Sequence, residues 1–131
     1  NLNSVGRSYG RPPRVDNTAS WTLQDWARAR LTLTPVQANG APVDVIGFVY
    51  HAPTQFPGEF SVVRYTLACC VADRRGSALA VKWAPGETLP ADQWVHVTGK
   101  MEIDLPDGSP RFVVTDAHVE PVAQPSDPYL H

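Results

Sequence analysis

The alternation of apolar and polar positions divides the chain into one short helix followed by five strands. Thr22 can cap a helix, and Asp25 stands three residues later, a variant of the capping box. Trp21 and Trp26 then occupy the two positions of a hydrophobic staple, and Leu23, Trp26, Ala27 and Leu31 form a loose helical stripe. Pro35 ends anything helical before it. A short amphipathic helix of this kind is expected to plug one end of a sheet domain.

The strand pattern starts at Ala41. Up to Tyr50, Val43, Val45, Gly47 and Val49 alternate with Asp44, Ile46, Phe48 and Tyr50. Both faces are largely apolar, which predicts a central or bent strand, and Gly47 marks a bulge or tight curve. Beyond a loop carrying Pro53 and Pro57, Glu59 to Cys70 reads as a second strand. It puts Val63, Tyr65, Leu67 and Cys69 on one face and Arg64, Thr66 and Cys70 on the other. Ala78 to Trp83 is a third strand with Leu79, Val81 and Trp83 inward, and the stretch 84–92 is a loop with at most one helical turn. Gln93 to Ile103 is the clearest strand, with Val95, Val97, Gly99, Met101 and Ile103 on its apolar side. Asp107-Gly108 is a hairpin turn signal, and Arg111 to Glu120 returns as the fifth strand. The proline-rich tail from Pro121 to His131 is expected to lie extended over the surface.

These elements predict a mostly β fold: a five-stranded OB-like barrel with one short N-terminal helix, a small sandwich being the alternative. Barrel closure removes sheet edges, which suits a chain whose only lysines are Lys82 and Lys100. A length of 131 residues fits one domain, read here as 16–131, behind a linker at 1–15. Hydrophobic residues at 43% suffice for a core, whereas 13 prolines and 9 glycines argue against a helical bundle. Only 18% of residues are charged and the net charge is −2, so bulk charge does not hold this chain to nucleic acid or anionic lipid. No apolar run reaches the ~18 residues that a spanning helix needs. The first residue is Asn1 rather than Met, so the chain is expected to be a trimmed fragment. In the linker, Arg7, Arg11 and Arg14 precede any acid, which fits a solvated tail or a juxtamembrane arm.

The chemistry-bearing residues are few. Two cysteines exclude a disulfide-rich scaffold and a four-cysteine zinc site. They stand together in Cys69-Cys70-Val71-Ala72-Asp73. A thiolate pair followed by an acid could ligate zinc or copper with a histidine completing the set, but neighbouring residues on a regular strand point to opposite faces. Cys69 continues an apolar row and reads as packing. Cys70, beside Arg64 on the more polar face, is the better functional candidate, since a nearby arginine or metal lowers a thiol pKa. His96 and His118 lie on the last two strands, where a hairpin lets them face each other. They read either as surface histidines or, with Cys70 and Asp73, as a mixed metal site. No catalytic triad, Gly-x-Ser-x-Gly or phosphate-cradling glycine loop is present, so no enzyme is expected. Tyr50, Tyr65 and Trp83 could stack bases in a single-strand nucleic-acid-binding OB module, but acids outnumber bases and no nucleic-acid partner is expected.

Four stretches carry a family resemblance: Val43-Asp44-Val45-Ile46-Gly47-Phe48-Val49-Tyr50, the run from Phe60-Ser61-Val62-Val63-Arg64-Tyr65 into Cys69-Cys70-Val71-Ala72-Asp73, Trp94-Val95-His96-Val97-Thr98-Gly99, and Pro125-Ser126-Asp127-Pro128-Tyr129-Leu130. Together they resemble the C-terminal domain of the bacterial YcgQ-like permease-subunit family, a domain of unknown function. The match runs from about Trp21 to His131. The resemblance implies hydrophobic membrane segments ahead of this domain and a separate multi-spanning permease as partner. It defines no catalytic residues, and the motif that maps onto this chain is Arg64, Cys69, Cys70 and Asp73. The expected function is a non-enzymatic domain of a membrane-anchored accessory subunit that binds a permease or its substrate. A thiophilic metal-binding domain and a single-strand nucleic-acid binder are the alternatives. No cofactor is expected apart from the zinc or copper of the metal reading. The basic linker and free cysteines fit the cytoplasmic side. An accessory domain that meets substrate first fits the extracytoplasmic side, which is the expected location.

Overall fold

The computed structural model describes residues 15–53, 55–67, 74–104, 108 and 111–130. Most of the linker, and Cys69, Cys70 and Asp73, lie outside the described residues.

A 3₁₀ turn at Val15–Ser20 leads into α1 (Leu23–Ala29). The capping box forms as the sequence predicts: the Thr22 hydroxyl accepts from the Asp25 amide, and the Asp25 carboxylate accepts from the Thr22 amide at 2.9 Å. The staple forms too, with Trp21 and Trp26 rings edge to face at 4.6 Å and Trp26 fully buried. Leu31 does not join the helical stripe. The helix stops at Ala29, and Leu31 is 87% exposed. Pro35 does not end α1, which has already stopped at Ala29; it opens a second helix, α2 (Pro35–Ala38), since a first-turn proline lacks only an N–H the helix would leave unpaired.

Five strands follow: β1 (Pro42–Tyr50), β2 (Glu59–Leu67), β3 (Arg74–Lys82), β4 (Trp94–Asp104) and β5 (Arg111–Pro121), with one 3₁₀ turn at Ala84–Thr88 between β3 and β4. They close in the order β1-β2-β3-β5-β4, all neighbours antiparallel except β3 and β5. The interior is filled by Val43, Val45, Val49, Val62, Val97 and Met101, among others, under α1. Gly47 makes the curvature possible. A Cβ there would stand 2.5 Å from the Val63 carbonyl oxygen and 3.1 Å from Leu23 of α1.

Two features of the sheet are set by cross-strand neighbours rather than by periodicity. On β2 the inward residues are Phe60 and Val62, while Tyr65 is exposed. Val63 is buried on the outer side, on the face that carries Phe48 and Tyr65, which pack together at 5.5 Å. Apolar outer positions are thus covered by one another, and apolarity alone misassigns the inner face. On β4 and β5 a bulge between Thr98 and Lys100 shifts the pairing by one residue. Gly99 permits this close approach, because a Cβ there would meet the Thr115 carbonyl oxygen at 2.6 Å. Asp116, with φ of 51°, takes up the extra residue.

Candidate functional site

Among the described residues three groups of side chains carry chemistry, and each is built by strand register. The first lies on the outer face of β1, β4 and β5. Asp44 is opposite Thr98, and His96 is opposite Ile46 on one side and Glu120 on the other. His96 Nε2 donates to Asp44 Oδ1 at 2.6 Å, and its Nδ1 lies 3.5 Å from Glu120. The bond to Asp44 holds the His96 pKa above its ordinary value against a partial loss of solvation, with the Asp44 and Glu120 charges adding to the rise. An imidazole with a carboxylate at each nitrogen is favoured as a cation, which makes it an electrostatic tie and a poor general base. His118 stands opposite Thr98 rather than His96, two positions along the strand. It is exposed and 4.0 Å from Glu120. The bulge puts both histidines on one face but does not bring them opposite each other.

The second group joins side chains at the ends of β2, β3, β4 and β5. The Glu59 side chain, 3% exposed, accepts two bonds from the Arg111 guanidinium at 3.0 and 2.7 Å. Arg111 also donates to Asp104 at 3.1 Å and lies over the Phe56 ring. Lys82 sits 3.7 Å from both Glu102 and Asp104. These bonds and charges push the Arg111 pKa further up, so it stays a cation throughout. Among the described residues these strand ends hold a self-neutralising network weighted toward acid, with Glu59, Glu102 and Asp104 against Lys82 and Arg111.

The third group surrounds Arg64, the described member of the predicted Arg64, Cys69, Cys70 and Asp73 patch. Its guanidinium donates to the Asp127 carbonyl at 2.8 Å and the Pro128 carbonyl at 3.2 Å, and it lies 5.7 Å from the Trp94 ring. The segment around Asp127, Pro128 and Leu130 lies against β2, and Arg64 ties it down. A pocket of about 190 Å³ opens beside it, lined by Trp21, Thr22, Asp44, Ile46, Arg64 and Leu130 among others. Arg64 and Asp44 thus share one cleft, and Asp44 carries His96. Cys69, Cys70 and Asp73 lie outside the described residues, between Leu67 and Arg74, which pair at the end of the β2–β3 hairpin.

Sequence reasoning missed Asp44, Glu59, Arg111 and Glu120. Asp44 had a signal, as the one acid in an otherwise apolar strand. The other three depend on cross-strand neighbours that only the register supplies.

The strand order and closure define an OB-like barrel with an N-terminal helix, crossed by a C-terminal tail. The chain belongs to the family of the DUF1980 C-terminal domain, a domain of unknown function whose model matches residues 24–131. No curated protein matches. Among solved structures, "Yeast RPA bound to ssDNA" contains a chain 16% identical, with 72% of this chain and 78% of that chain covered and a TM-score of 0.38. A likeness at that level carries no argument about function.

Proposed function

We propose that this domain is a non-enzymatic docking module of a membrane-anchored accessory subunit, binding a permease or the substrate that the permease carries. One observation carries the reading. The side chains best suited to chemistry, His96 and Arg111, are tied to carboxylates of neighbouring strands rather than aimed into an open cavity. Among the described residues a cleft opens at Arg64 and Leu130. The resemblance to the permease-subunit family supplies the partner. An extracytoplasmic position places the domain where substrate arrives.

Among the described residues no helix is long and apolar enough to cross a membrane, so the proposed anchor is assigned to sequence outside them. The thiophilic-metal reading rests on Cys69, Cys70 and Asp73. Among the described residues no group of three or more His, Cys, Asp or Glu side chains is placed to hold a metal ion. The acids at the barrel mouth, Glu59, Glu102 and Asp104, support a reading without nucleic acid.

The test is co-purification of the tagged full-length protein from detergent-solubilised membranes. The expected result is membrane fractionation with a multi-spanning permease recovered in stoichiometric amount. A full-length protein that fractionates as soluble and brings down no permease contradicts the proposal.

A further inference from the structure

β1 and β2 pair only from Phe48–Val63 to Tyr50–Ser61, although β2 runs on to Leu67 and stays paired with β3 throughout. The β1-side edge of β2 beyond Val63 is closed instead by the C-terminal segment. Leu130 bridges Thr66 in parallel orientation, its amide donating to the Tyr65 carbonyl at 2.8 Å and its carbonyl accepting from the Leu67 amide at 2.9 Å. Arg64 takes the two carbonyls that lie two and three residues before Leu130.

The closure is light. From Pro125 to Leu130 no residue is buried, and Ser126 and Asp127 are exposed. A segment held at one bridge and by the two Arg64 bonds, with no buried side chain, belongs to the low end of local stability. The slot beneath it also holds unused capacity. Among the described residues Thr66 Oγ1 is buried without a hydrogen-bond partner, and the 190 Å³ pocket continues from Leu130 to Asp44, Val45 and Ile46 of β1. An open strand edge of this kind is a template for adding an extended peptide.

We propose that the edge of β2 from Arg64 to Leu67 is a strand-acceptor slot, that the C-terminal segment is its resident and releasable strand, and that an extended segment of a partner protein replaces it. The resident defines what fits. The incoming segment runs parallel to β2, carries an aliphatic side chain at the Leu130 position, and offers Arg64 two carbonyls just before it. A polar side chain within reach of Thr66 adds a bond that the resident lacks. The choice of partner rests on the docking role proposed above, whereas the slot does not.

A labelled synthetic peptide, VAQPSDPYLH (this chain's residues 122–131), is titrated into the intact chain and into Leu130→Asp, whose new charge disfavours the resident. Saturable binding to Leu130→Asp is expected. Binding at least tenfold weaker is expected for the wild type, where the resident competes, and for Arg64→Ala combined with Leu130→Asp. A folded Leu130→Asp chain that does not bind, or equal affinity of wild type and variant, overturns the slot. Amide exchange on the wild type covers the case in which the variant does not fold. Leu67 and Leu130 amides are expected to exchange together, at least ~100-fold faster than Val62. Exchange as slow as that of Val62 overturns the proposal. No permease is present in either experiment, so a failed slot leaves the docking role standing, and a failed co-purification leaves the slot.

Discussion

Two charged clusters tie the strands of this barrel, and they differ chiefly in burial. At the mouth, Glu59 is 3% exposed, and its two bonds to Arg111 are shared with no other guanidinium in the described residues. On the outer face, His96, Asp44 and Glu120 are 30%, 48% and 55% exposed. The mouth cluster joins four strands and the outer one three, yet water does most of the solvation in the second and almost none for Glu59 in the first. Removing one partner from a buried pair strands a charge, whereas an exposed pair is worth little because water replaces it. Similar geometry therefore gives a structural keystone in one place and a weak, titratable tie in the other.

The largest effect is expected at the mouth. Arg111→Met leaves the Glu59 carboxylate buried without its cation and should cost about 3–5 kcal/mol in urea unfolding. A loss comparable to that of an outer-face variant would break the contrast. Next comes Gly47→Ala, where the added Cβ meets the Val63 carbonyl oxygen and Val62 Cγ2 at 2.5 and 2.9 Å. Backbone must move, at about 1–3 kcal/mol, seen as a lower denaturation midpoint. Gly40→Ala separates packing from backbone conformation: its Cβ meets nothing within 4 Å, but its φ of 83° disfavours any side chain.

The smallest effect is the pH dependence at His96. Its folded pKa lies above the unfolded value near 6.5, so its contribution is complete below about pH 6.5 and is lost as pH rises through the folded pKa. With this exposure the amplitude should stay below about 1 kcal/mol. His96→Gln should flatten that step in stability against pH, and Asp44→Asn should move the His96 NMR titration midpoint down. A midpoint unmoved by Asp44→Asn would show that the short contact does not govern the histidine.

What was legible in the sequence is what local chemistry decides. The cap and staple at Thr22, Asp25, Trp21 and Trp26 involve residues within five positions, and they form as read. The five strands and the barrel followed from period-two alternation and from Gly47. The sites were less legible because they depend on register. One bulge at Gly99 and Asp116 decides that His96 meets Glu120 and not Val119, and no periodicity announces it. Which face of β2 points inward was not legible, because Val63 is buried on the outer side, where Phe48 and Tyr65 pack together. Arg64 stood out in the sequence for its place before the paired cysteines. Its hydrogen bonds go to the tail, 63 and 64 residues away in the chain.

The decisive measurement is a double-mutant cycle on Arg111 and Glu59, run beside one on His96 and Asp44 at pH 6. If the mouth cluster holds the barrel and the outer cluster decorates it, Arg111→Met with Glu59→Leu should recover most of the single-variant loss, with a coupling of about 2–3 kcal/mol. The outer pair should couple by less than about 1 kcal/mol. Equal couplings, or a larger one on the outer face, would contradict the assignment of these charges to structure rather than to a site.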